Sequence, residues 1–131
     1  MSARRCAVLG GSGYLGHTLA FGLAALGWSV TATHHSARVD ASASGANVVW
    51  KNVDVLCKQA VYDLLNECAP CLIVNTVAIS DIAANERDPV RAASVNTPIH
   101  SAEWAKERQE QGRPVRYIHF STDQVYDGTK A

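Results

Sequence analysis

Four glycines fall within seven residues in Gly10-Gly11-Ser12-Gly13-Tyr14-Leu15-Gly16, and few structures tolerate such a run. Glycine weakens the interior of a helix or a strand, so the segment reads as a turn that needs close backbone approach or unusual dihedral angles. Its flanks say what the turn joins. Cys6 to Leu9 is a short apolar run with strand character, and from Tyr14 to Leu26 the residues Leu15, Leu19, Leu23 and Leu26 recur at helical spacing. The chain therefore opens as strand, glycine turn, helix.

The glycines at 10, 13 and 16 follow a G-x-x-G-x-x-G spacing. Spacing alone decides little, because nine glycines in 131 residues form spaced triplets by chance. Position at a strand-to-helix junction decides more. There Gly10 permits the tight turn, Gly13 lets the backbone approach a pyrophosphate, and Gly16 lets the helix lie close to the strand. The first helical turn, with Ser12, Tyr14 and Leu15 as further candidates, directs N–H groups and the positive end of the helix dipole at phosphate. The expectation is a dinucleotide cofactor; the competing reading is a packing turn with no ligand.

The pattern repeats downstream. Trp28–Thr33, Val48–Val53, Cys71–Asn75 and Val115–Ser121 read as strands, Cys57–Cys68 as a helix, and Pro89–Gln111 as helix that Pro98 must kink or restart. Strands apolar throughout and alternating with helices imply a parallel sheet covered on both faces, an α/β fold of five strands. Twelve Lys and Arg balance twelve Asp and Glu, so no basic footprint for nucleic acid or a membrane surface exists. No stretch approaches the roughly 18 apolar residues of a spanning helix, and no secretory h-region precedes Cys6. A cytoplasmic protein is the expectation. Cys68-Ala-Pro-Cys71 has redox spacing, but it falls at the end of a helix and leads into a strand, the reverse of a thioredoxin-like motif.

The end of the second strand bears on which dinucleotide. NAD is held there by an acid that accepts from the ribose 2′-OH. This chain has Thr33-His34-His35-Ser36-Ala37-Arg38, with no acid before Asp40. Arg38, Ser36 and a histidine, His35, suit a 2′-phosphate, so NADP(H) is preferred and NAD(H) stays possible; the plain alternative makes Arg38 a solvated charge. The adjacent histidines point apart on an extended segment, which argues against a metal. Asp54, after the third strand, either accepts from the adenine amino group, with Val55 against the ring, or caps the next helix.

Three segments together resemble extended short-chain dehydrogenases. The cofactor loop is the first, Asn75-Thr76-Val77-Ala78 is similar to their Asn-x-Ala-Ala turn, and Ser121-Thr122-Asp123-Gln124-Val125-Tyr126-Asp127-Gly128 resembles the Ser-Thr-Asp-x-Val-aromatic-Asp-Gly segment of the dTDP-4-dehydrorhamnose reductase branch. That branch includes the regulatory beta subunit of methionine adenosyltransferase. The resemblance implies a doubly wound Rossmann-like sheet over residues 1–131. It further implies cofactor contacts at Asn75, Thr76, Val77, Asn96 and Ser121, a carbonyl-polarising Thr122 and an active-site acid at Asp123. Tyr126 takes the motif's aromatic, packing position. Val77 stands where the family has a small Ala, and Ala83 where the branch has Asp.

The resemblance places the family's Tyr-x-x-x-Lys pair beyond Ala131, where its Tyr donates the proton and its Lys holds the nicotinamide ribose. The expectation is thus the cofactor half of a reductase acting on a nucleotide-linked keto sugar, inactive by itself; the rival is a non-catalytic nucleotide-binding subunit. Residues 115–120 are expected to form an exposed apolar edge that pairs with a second copy or a partner chain.

Overall fold

A computed structural model of the chain describes residues 3–36, 47–122 and 128–129. Arg38 and Asp123, and Tyr126 with them, lie outside the described residues. Ten elements follow in chain order: β1 Arg5–Leu9, α1 Tyr14–Ala25, β2 Ser29–His34, β3 Val48–Asn52, α2 Lys58–Cys68, β4 Leu72–Asn75, α3 Ile82–Arg87, α4 Pro89–Asn96, α5 Ile99–Glu110 and β5 Arg116–His119. All strand pairs are parallel, in the order β3-β2-β1-β4-β5. This is the Rossmann-like α/β sheet expected, with its order reversing between β1 and β4.

The period of two in β1 divides the core. Cys6 and Val8 pack with Val30, Ala32, Leu72, Val74 and Ala20 of α1 on one face. Ala7 and Leu9 pack with Ile73 and with Val61, Leu64, Leu65 and Trp104 of α2 and α5 on the other. Both faces of the sheet centre are covered, so β1 and β4 are buried on both sides and read as continuous apolar runs, while the edge strands β3 and β5 are more exposed.

One helix sits differently from its sequence pattern. Leu15 and Leu26 of the leucine stripe are exposed, while Gly16 and Ala20 are the buried residues of α1. The helix lies so close to the sheet that only small side chains fit at the contact. Its end is as expected: Gly27 takes φ +86°, Trp28 N–H donates to Leu23 O and Gly27 N–H to Ala24 O, the pairing that closes a helix on a left-handed glycine. Pro98 restarts the downstream helix, ending α4 and serving as the N-cap of α5. The short α3 was not legible, because none of its residues is buried and it carries no apolar period.

The Cys-Ala-Pro-Cys segment ends α2, with Ala69 at φ 41°, and leads into β4. Burial pushes the Cys6 thiol up from 9.0 to about 12, with Cys71 and Cys68 nearby adding to it, and burial pushes Cys68 up to about 11. Above pH 9 the native state keeps protons that the unfolded chain releases. The stability this contributes is fully present below pH 9 and falls as pH rises through about 11 to 12, by up to about 1.4 kcal/mol per pH unit per thiol. Urea unfolding at pH 8 and pH 10 should show that alkaline loss, and Cys6→Ala with Cys68→Ala should flatten it. An unchanged pH slope in the double variant would contradict this origin.

Candidate functional site

The strands end on one rim, and the turns after β1, β2, β3 and β4 enclose a cleft of about 400 Å³. Its floor is the β1–α1 turn. Gly10 has φ +81°, and a Cβ there would stand 2.8 Å from Thr76 Oγ1, so the turn requires glycine. Gly10 N–H donates to Thr33 Oγ1 at 3.0 Å, and Gly13 N–H donates back to Gly10 O at 3.1 Å. Gly11 is also fixed by packing, since a Cβ would press on Ala32 at 2.8 Å and on the Trp50 ring at 3.1 Å.

Gly13 is the N-cap of α1 and supplies no side-chain hydrogen bond to it. Serine or aspartate at this position would satisfy one of the helix's open N–H groups. Here those donors stay available where Gly10, Ser12 and Gly13 line the cleft. No acidic residue occupies the first turn either, so the dipole end faces the cleft without a carboxylate of its own.

A second wall comes from the ends of β2 and β3. His35 and Ser36 line it, with Asp54 and Val55 opposite. Asp54 Oδ1 accepts from Leu56 N–H at 2.9 Å, and Oδ2 lies 4.0 Å from His35 Nε2. The N-cap of α2 is Cys57, so Asp54 does not cap that helix; it closes the turn before it. The paired histidines do point apart: His34 sits edge-on to Trp50 at 6.5 Å between ring centres, while His35 reaches Asp54. Among the described residues no three metal-ligating side chains cluster.

The third wall is the segment after β4. Asn75 is buried beside His119 on β5; its Nδ2 donates to His119 Nδ1 at 3.1 Å, and its Oδ1 accepts from Val77 N–H at 3.3 Å. Thr76 Oγ1 donates to Leu9 O at 2.8 Å, binding the wall to β1. Asn96, at the end of α4, accepts from Ile79 N–H at 2.7 Å. Asn75 and Asn96 thus brace the wall from behind, while Thr76 and Val77 line it.

Of the sequence candidates, Gly10, Ser12, Gly13, His35, Ser36, Asp54, Val55, Thr76 and Val77 come together around this cleft. Tyr14 and Leu15 project outward from the start of α1, and Gly16 is consumed by packing against Gly10 and Thr76. Ser121 and Thr122 are exposed just past β5 and do not line the cleft. Sequence reasoning missed Thr33, whose hydroxyl fixes the glycine turn, and Arg91, which enters the cleft from α4.

Residues 4–131 match the family model described as RmlD substrate binding domain. A probable low-salt glycan biosynthesis reductase, Agl14, from Haloferax volcanii is 29% identical over 123 residues, 92% of this chain and 38% of that protein. The dTDP-4-dehydrorhamnose reductase of Sinorhizobium fredii is 33% identical over 79 residues, 60% of this chain and 26% of that protein. Among solved structures, UDP-glucose 4-epimerase from Brucella ovis in complex with NAD superposes with a TM-score of 0.78 at 19% identity, over 98% of this chain and 39% of that one. The chain spans less than half the length of each of these relatives. No described helix is long and apolar enough to cross a membrane.

Proposed function

The chain belongs to the RmlD substrate binding domain family, and from that premise we propose that its cleft holds a nicotinamide dinucleotide for reduction of a nucleotide-linked keto sugar. The observation that carries this reading is the start of α1. A helix N-terminus capped only by Gly13 opens into a cleft at the point where the strand order reverses, the place where doubly wound sheets take their ligands. The reductase names of two relatives and the bound NAD of the epimerase support the same reading.

Bound there, the dinucleotide would supply a hydride to the carbonyl carbon. The chain's own residues have narrower tasks. Ser12 and Gly13, with the first turn of α1, present backbone donors to the pyrophosphate, and Gly10 with Thr33 holds that turn open. Asp54 and Val55 would take the adenine. Thr76 and Val77, braced by Asn75 and Asn96, would border the ribose. Thr122, with Ser121 before it and Asp123 after it, would polarise the substrate carbonyl.

The finer proposal is that NADPH binds more tightly than NADH. No carboxylate stands at the end of β2, while Ser36, His35 and Arg38 offer donors for a 2′-phosphate. Calorimetric titration of both cofactors tests it; tighter binding of NADH would refute it. The β5 edge belongs to the same picture. Among the described residues β5 pairs only with β4, and Ile118 and Phe120 are exposed. We expect a second copy of the 131-residue chain to pair along residues 115–120. Sedimentation showing a monomer at high protein concentration would contradict that.

A further inference from the structure

We infer that Arg91 is a cation of this cleft and anchors a diphosphate from the α4 side, opposite the glycine turn. For its first source, the cofactor's own pyrophosphate, the inference rests on the dinucleotide reading above. For its second, a nucleoside diphosphate sugar, it does not.

Among the described residues, Arg91 is the only Lys or Arg that lines the cleft, and Asp54 is the only carboxylate. Asp54 is engaged at the far wall by Leu56 N–H and stands 4.0 Å from His35. A diphosphate carries roughly two negative charges, whereas a helix N-terminus supplies only about half a positive one. The glycine turn contributes geometry and donors but no full charge. The described residues on that side carry no cation, and Arg91 brings one.

Arg91 and Val95 stand one turn apart on α4 and both line the cleft, while Ala92 between them is buried and seats the helix. Asp88 Oδ1 accepts from the Arg91 N–H at 3.0 Å, and Pro89 starts the helix. At the other end Asn96 grips Ile79 through its N–H at 2.7 Å and its carbonyl at 3.4 Å. The backbone carrying Arg91 is thereby tied to the wall after β4.

Arg4 lies over Trp28, Arg108 lies over Trp104, and Arg5 donates to Ala69 O. Arg91 is exposed, and no carboxylate among the described residues forms an ion pair with it. A planar guanidinium with an open fork suits two phosphate oxygens. The plain alternative is a solvated surface charge, which binds nothing.

Calorimetry on the full chain separates these outcomes, with NADPH, NADH, adenosine and dTDP-glucose as probes against wild type, Arg91→Gln and Arg91→Lys. Arg91→Gln should weaken NADPH and NADH by the same factor, about tenfold for one charge-assisted contact in an open cleft. The NADPH-to-NADH ratio and the adenosine affinity should stay unchanged, and Arg91→Lys should recover part of the loss. Loss of dTDP-glucose binding with intact dinucleotide binding supports the diphosphate anchor and identifies the sugar nucleotide as its source. A loss confined to NADPH would place Arg91 on the 2′-phosphate and overturn the inference, as would equal affinities for every probe. If the wild type binds neither dinucleotide, the proposed function fails while the dTDP-glucose arm still decides Arg91. Unfolding temperatures of the variants exclude a folding defect, since Arg91 is exposed.

Discussion

Gly16→Ala should destabilise the chain by about 3 kcal/mol and lower its unfolding temperature by about 10 °C. A Cβ on Gly16 would overlap the Gly10 carbonyl oxygen and stand 2.7 Å from Thr76 Oγ1 and 2.8 Å from the Gly10 carbonyl carbon. Two of these three neighbours are backbone, and the third hydroxyl is already bonded to Leu9 O. None can swing aside as the end of a flexible side chain can. To admit one methyl group, α1 must lift from the sheet, which strips contacts from Ala20 and from Val8 and Val30 beneath it. Thermal or urea unfolding reads the effect. A variant as stable as the wild type would show that α1 does not lie where the structure puts it.

Gly13→Val should have the opposite signature, with dinucleotide affinity falling by more than about a hundredfold, or 2.7 kcal/mol, and little change in stability. Gly13 has φ −74°, an angle open to any residue, and its Cβ would meet only Gly10 O, at 3.4 Å. The fold therefore has room for a side chain. The ligand does not, because the branched valine would stand over the open donors of α1, where a pyrophosphate has to make contact. Titration of NADPH alongside a melting curve reads both halves. A variant that binds normally would make the glycine turn a packing device, and one that unfolds would mean that the site and the core cannot be separated there.

The contrast between these glycines shows what the sequence made legible. The strand, turn and helix around Gly10 to Gly16 were readable because periodicity changes abruptly there and glycine has few other reasons to cluster. The central strands were readable because burial on both faces leaves β1 and β4 apolar, and the edge strands β3 and β5 from their β-branched and aromatic residues. The inward face of α1 was legible in part. Hydrophobic spacing picked out Leu19 and Leu23, which pack against the core, but close packing put Gly16 and Ala20 at the contact itself, and size is invisible to a count of apolar residues. Asp54 was readable as a junction residue, though its bond to Leu56 rather than to α2 depends on where the helix starts. Arg91 carried no signal, because nothing local links it to Gly13. The two line one cleft because Asn96 holds Ile79 and Thr76 holds Leu9, contacts between residues far apart in the chain.

The central claim is that a nicotinamide dinucleotide sits with its pyrophosphate on the start of α1. The most direct measurement is a titration of the isotopically labelled chain with NADPH, following backbone amide resonances by NMR. Saturable shifts at one equivalent are predicted for Gly10, Ser12, Gly13 and the first turn of α1, with smaller ones at Val77 and Val55. Amides at the opposite end of the sheet, such as Arg5 and Leu72, should stay in place. No saturable shift, or shifts that leave Ser12 and Gly13 untouched, would contradict the account.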